Sequence, residues 1–226
     1  WERRMIDAEP RPGIVCIVLA AGESRRMGQP KQLLPFDGRT VLACVVDAVL
    51  EAAVGRVVVV LGHQAEAIGA SLGRRPVLPV VNPDYRAGML SSVQAGVRAA
   101  RPLLPDEGRA GFLFCLGDQP RLRADTVRRV VQAFSESARS IVVPVYGGRR
   151  GHPALYEATY APEILALPPE VGLRALPRRH PENVVELPLD APEILDELNT
   201  PEDYQRLLAQ DQPTNPGRAP ERPAPW

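Results

Sequence analysis

The chain has 226 residues, within the range of one compact α/β domain, and its 45% hydrophobic and 24% charged residues exclude a disordered or fibrous protein. Lys plus Arg (27) equal Asp plus Glu (27), so no overall field draws it to nucleic acid or an anionic membrane, and any anion site must be local. No apolar stretch approaches the roughly 20 residues of a membrane span and the opening WERRMIDAEPRPG lacks the apolar core of a secretory signal, which points to the cytoplasm.

The chain opens on Trp1, which suggests a clipped frame with Met5 a candidate start, and residues 1–12 are expected to be a disordered lead. Residues 14–20 (IVCIVLA) form a continuous apolar run rich in β-branched side chains, the pattern of a strand buried on both faces. Similar runs recur at 57–61, 77–81, 111–116 and 141–145. The segments between them, 41–53, 64–72, 90–100 and 126–134, carry apolar residues at helical spacing. This alternation predicts a mostly parallel sheet with helices on both faces, a three-layer α/β fold. Beyond residue 146 prolines break the chain, and short helices at 160–167 and 172–179 and a strand at 184–187 are expected. Thr200, followed by Pro201, Glu202 and Asp203, predicts a helix N-terminus, with the helix running to about Ala209. Residues 13–210 are thus one domain and 211–226 a Pro-rich tail unable to order itself. Cys16, Cys44 and Cys115 lie in apolar runs without metal-ligand spacing and are expected to be buried thiols.

The first strand runs into AAGESRRMGQPKQLLP. Gly22 and Gly28 bracket Arg25 and Arg26, and Lys31 follows, as in a loop whose backbone amides and cations receive a triphosphate; a surface loop of solvated charges is the alternative. The spacing is neither that of a Walker loop nor that of the dinucleotide fingerprint. The fourth core strand ends in LGDQP, which places Asp118 at a carboxyl edge of the sheet, where ligands bind in open α/β folds. A carboxylate there suits Mg²⁺, which takes one or two protein carboxylates and fills its shell with water and phosphate oxygens; a turn residue before Pro120 is the other reading.

Taken in order, LAAGESRRMGQPKQLLP, GMLSSVQAGV, LGDQP, RRGHPALY and NTPEDY resemble the MobA-like NTP transferases, most closely the branch that transfers cytidylyl groups to the molybdenum cofactor. The resemblance covers about residues 14–208. It implies a Rossmann-like nucleotide-diphospho-sugar transferase fold, attack of an acceptor phosphate on the α-phosphorus of an NTP, and release of pyrophosphate. It also implies that Leu19, Ala20, Ala21 and Gly22 contact the nucleotide, that Arg25 and Lys31 bind phosphate, and that Asp118 holds the metal. Gly88, Ser91 and Ser92 match a stretch that lines the base, although SSVQAGV also reads as a serine-capped helix start.

Arg150, Gly151, His152 and Pro153 match a segment facing the acceptor, but for His152 a hydrogen-bonded loop histidine is the favoured reading, and His63 likewise reads as structural or peripheral. Many cytidylyl-transferring relatives carry Asp-Ile-Asp before Thr-Pro-Glu-Asp, where this chain has Glu197, Leu198 and Asn199. That departure puts a second metal ligand in doubt, and Asn there resembles guanylyl-transferring relatives, whereas LAAG and Gln29-Pro30-Lys31 side with the cytidylyl branch. The implied partners are CTP, or GTP, a molybdopterin-type phosphorylated acceptor, and a molybdenum hydroxylase or its maturation factor. Another phosphorylated acceptor, or a non-catalytic cofactor carrier, would share these features.

Overall fold

The computed structural model describes residues 13–211, so the expected disorder of 1–12 and of the tail 211–226 lies outside the described residues, except at Asp211, which belongs to the last helix and not to the tail. In chain order the elements are β1 (Gly13–Ala20), β2 (Pro35–Phe36), β3 (Arg39–Thr40), α1 (Val41–Ala52), β4 (Gly55–Leu61), α2 (Ala65–Ser71), β5 (Leu78–Val81) and α3 (Met89–Ala100). There follow β6 (Ala110–Leu116), α4 (Ala124–Glu136), β7 (Ile141–Tyr146), β8 (Arg149–Arg150), β9 (Ala154–Glu157), α5 (Ala161–Ala166), α6 (Leu176–Arg179), β10 (Val184–Pro188) and α7 (Pro201–Asp211).

β1 is buried on both faces because its side chains alternate between two apolar layers. Ile14, Cys16, Val18 and Ala20 join Leu42, Val45, Val46 and Val49 of α1 and Val127, Val130 and Phe134 of α4. Val15 and Ile17 join Leu90, Val93 and Val97 of α3 and Ile164 of α5 on the opposite face. The result is the expected three-layer, mostly parallel sheet, in the order β10-β7-β9-β6-β1-β4-β5 with β8 added beside β7.

β4 and β6 flank β1 in parallel register, so the chain winds outward to β5 and then returns to the other side of β1. Such a reversal opens a crevice at the carboxyl ends of the two central strands. Three features depart from simple βαβ alternation, the first being β8, which pairs antiparallel with the end of β7. β9 is antiparallel and wedged between β6 and β7, and β2 and β3 form a hairpin about Asp37 and Gly38, both in the left-handed region.

α7 begins as expected after Thr200, whose Oγ1 accepts from the Asp203 amide at 3.2 Å, and it continues through Asp211, past the expected Ala209. It packs Leu207 against Leu34, Phe36 and Val41, and so closes the chain over the loop that follows β1. All three cysteines are buried thiols; burial pushes Cys16 up to about 12, while the Cys44 Sγ donates to the Phe36 carbonyl at 3.4 Å. Among the described residues no helix is long and apolar enough to cross a membrane.

Candidate active site

A cleft of about 370 Å³ opens where β1 and β6 end. Its floor is the β1–β6 junction, where the Gly117 amide donates to the Leu19 carbonyl at 2.9 Å. A Cβ on Gly117 would lie 2.9 Å from that carbonyl and 3.0 Å from the Ala20 methyl, so glycine is required for the strands to end side by side. Asp118 follows immediately and lines the cleft.

The loop after β1 is braced from below. Gln32, 2% exposed, donates from Nε2 to the carbonyls of Ala20 and Gly22 at 3.1 and 3.2 Å. Ser24, with φ 54°, accepts the Lys31 amide on Oγ at 3.1 Å and donates to Gln32 Oε1 at 3.3 Å. Gly28 takes the left-handed conformation at the far end of the loop. A Cβ on Gly22 would meet nothing within 4 Å, because that side is the open cleft, where a ligand can approach the backbone.

Lys31 and Asp118, 87 positions apart, meet in this cleft. The Lys31 ammonium donates to Asp118 Oδ2 and, at 3.3 Å, to Asn199 Oδ1. Asn199 is held in register because the Leu198 amide donates to the Asp118 carbonyl at 3.1 Å, while Asp203 Oδ2 accepts the Asn199 amide at 3.1 Å. Its side-chain nitrogen donates to Glu197 Oε2 at 3.1 Å, which turns its oxygen toward Lys31. Burial pushes the Asp118 carboxyl above its ordinary range; the Lys31 charge opposes that shift and Glu197 adds to it.

Of the residues singled out in the sequence, Leu19, Ala21, Gly22, Arg25, Lys31, Gly88, Ser92 and Asp118 line the cleft. Arg25 is at its rim, largely exposed and held by Glu23 through Nε at 2.8 Å. Ala20 is buried beneath the loop and offers only its carbonyl to Gln32, and Ser91 is not among the lining residues. The Ser91 hydroxyl donates within the preceding turn, to the carbonyls of Asp84 and Gly88, which leaves Ser92 as the serine that faces the cleft. Arg150, Gly151, His152 and Pro153 stand outside the cleft lining: Arg150 pairs with Glu186, and Gly151 and His152 pack on the Ile194 turn. His63 donates its amide to the Ala21 carbonyl at 3.1 Å and is likewise outside the cleft.

Three structural contributors were not anticipated. Gln32 braces the loop, Glu197 orients Asn199, and Asn82, 3% exposed, donates to Ser91 Oγ and Ser92 Oγ at 2.9 and 3.0 Å. Asn82 directly follows an apolar run, at the carboxyl end of a strand, which was the available signal.

The sequence profile of the MobA-like NTP transferase domain matches residues 16–184. The chain belongs to the MobA-like NTP transferase family. This nucleotidyltransferase is 32% identical to the nicotine blue oxidoreductase of Paenarthrobacter nicotinovorans, over 87% of its own length and 97% of that protein. It is 28% identical to the molybdenum cofactor cytidylyltransferase of Escherichia coli K12, over 84% and 93%. Among solved structures it resembles Rv0371c of Mycobacterium tuberculosis H37Rv, with a TM-score of 0.77 and 32% identity, over 88% and 99% of the two chains; that protein is also known in complex with manganese. Nucleotidyltransferases of this kind commonly use divalent metals.

The cleft fits such a cation. Asp118 and Asn199 offer a carboxylate and an amide oxygen, the hard donors that Mg²⁺ or Mn²⁺ prefers, and in this structure an ammonium already lies against both. Among the described residues no group of three or more His, Cys, Asp and Glu side chains forms a cage, so a bound metal would draw remaining ligands from water or phosphate.

Proposed function

We propose that the chain is a cytoplasmic, Mg²⁺-dependent cytidylyltransferase that moves CMP from CTP to the phosphate of a molybdopterin-type acceptor. The observation that carries this reading is the meeting of Lys31, Asp118 and Asn199 beside the open backbone of Gly22. An acceptor phosphate oxygen attacks the α-phosphorus, the bond from that phosphorus to the α–β bridging oxygen breaks, and pyrophosphate leaves with the electron pair. The acceptor is already ionised near neutral pH and needs no strong base, so the demand on the protein is positioning and positive charge.

The braced loop presents the Gly22 backbone to the phosphates, and Arg25 stands at the rim to meet their outer charge. Lys31, on a four-carbon arm, places a compact charge at the α-phosphate. Gly88 and Ser92, opposite, receive the nucleoside. Asp118 and Asn199 would hold Mg²⁺, which supplies further neutralisation of the phosphates. The LAAG loop and the Escherichia coli relative favour CTP over GTP. A molybdenum hydroxylase or its maturation factor would then receive the product.

A second reading, an oxidoreductase in place of a transferase, has one observation in its favour, the 32% identity to a protein named nicotine blue oxidoreductase. Pyrophosphate release with CTP or GTP, against purified molybdenum cofactor and against other phosphorylated acceptors, separates these possibilities. Release that requires CTP and the molybdopterin acceptor is expected. Release with GTP alone moves the assignment to guanylyl transfer, and none with any pair removes it.

A further inference from the structure

Resting on the reading of this cleft as an NTP site, the geometry points to a second task for Lys31. We propose that its ammonium is the resident cation of the Asp118–Asn199 oxygen pair in the free protein. It yields that pair to a divalent metal ion when nucleotide phosphate is present to receive it.

The oxygen pair is fixed on one side of the exchange. Glu197 and the Leu198 and Asn199 backbone bonds hold the Asn199 oxygen in place, and Asp118 is anchored by the glycine contact beneath it. Lys31 is held at its backbone, where its amide donates to the Ser24 hydroxyl and its carbonyl accepts from the Leu34 amide, while among the described residues its ammonium is held by the oxygen pair alone, so the exchange needs a rotation of its flexible arm. Both partners are shielded from solvent, with side-chain exposures of 15% for Lys31 and 13% for Asp118. Asp118 has no other ion pair among the described residues, so Lys31 is what neutralises it in the free protein.

An ammonium and a divalent ion cannot share the same two oxygens, because like charges a few ångströms apart in a shielded site repel strongly. In the absence of nucleotide the metal must therefore displace Lys31 into an empty cleft. In its presence the triphosphate offers the ammonium a new anionic partner. Metal is thus expected to arrive with the nucleotide rather than before it. If the oxygen pair is open about one time in ten or less, apparent metal affinity of the free protein falls by about tenfold or more.

The test is Mn²⁺ binding to the nucleotide-free full chain, read by electron paramagnetic resonance of the unbound ion, for wild type, Lys31→Met and Lys31→Gln. Thermal melting shows that each variant is folded. Both variants should bind Mn²⁺ at least about tenfold more tightly than wild type, and adding Asp118→Asn to either should abolish the gain. Equal or weaker binding by both variants overturns the proposal. A wild-type protein that releases pyrophosphate while its variants show no gain leaves the transferase reading standing. Tighter binding in a protein that transfers no nucleotide fails that reading and leaves the cation exchange intact.

Discussion

The backbone amide of Leu198 donates to the carbonyl of Asp118 at 3.1 Å, joining the segment before the last helix to the turn after β6. This bond sets Asn199 beside Asp118, although 80 residues lie between them in sequence. A carboxylate and an amide oxygen thereby converge on Lys31 from two directions.

Asp118→Asn should remove most metal-dependent turnover and leave the fold intact. It deletes a charge on the cleft wall, from which the flexible Lys31 arm can turn into the cleft, rather than a core side chain. The melting temperature is expected to stay within about 5 °C of wild type. Near-normal turnover at saturating metal would remove Asp118 from the metal site.

Glu197→Ala should raise the metal concentration needed for half-maximal turnover by about tenfold, because groups that orient a ligand typically carry 10- to 100-fold of metal affinity. Glu197→Gln, whose side-chain oxygen can still accept from Asn199, should largely restore it. A metal titration of the two variants checks this, and an unchanged midpoint in both would show that Asn199 needs no orienting partner.

Gly117→Ala should cost about 1 to 3 kcal/mol, since its methyl would press on the Leu19 carbonyl and Ala20. It should also lower turnover by displacing Asp118. Denaturant melts and steady-state rates measure the two effects, and a neutral outcome in both would mean the strand ends are not tightly apposed.

Much of this architecture is legible in the sequence. The five apolar runs became β1, β4, β5, β6 and β7; β1, β4, β6 and β7 are mostly buried, as continuously apolar strands should be, whereas β5 is an edge strand with Leu78 and Val81 exposed. β9 escaped because Ala154–Glu157 is only four residues long, and its insertion between β6 and β7 is decided by distant partners rather than local pattern. The β2–β3 hairpin did carry a local signal, the Asp37-Gly38 turn. In the site, glycines and cations mark the loop, but Gln32 and Glu197 act on backbone and amide groups that only the fold brings near. No motif announces such partners.

Asp47 offers a test of the frame away from the site. Arg75 donates to its two oxygens at 2.6 and 2.8 Å, and Arg39 adds a bond at 3.2 Å. The Arg75 bonds, against the opposing effect of burial, hold the Asp47 carboxyl below its ordinary value. Its stabilisation is therefore full above the unfolded aspartate value of about 3.9 and is lost as pH falls through the lower folded value. Asp47→Asn should cost about 1 to 2 kcal/mol at pH 7, with the gap to wild type closing in that acid range. Urea melts across pH check this; a gap that widens toward acid would reverse the assignment.

Lys31→Ala bears most directly on the proposed chemistry. On the proposed mechanism ground-state nucleotide would remain held by the Gly22 backbone, Arg25 and metal, whereas charge gathering at the α-phosphorus would call on a cation at that atom. Single-turnover pyrophosphate release at saturating CTP should fall by about 100- to 1,000-fold, while calorimetric CTP affinity changes by less than about tenfold. Lys31→Arg should not fully restore the rate, because a planar guanidinium cannot place a compact charge at the same point. Collapse of CTP affinity with a surviving rate would contradict the account, for Lys31 would then be a ground-state phosphate anchor and not the group that stabilises nucleotidyl transfer.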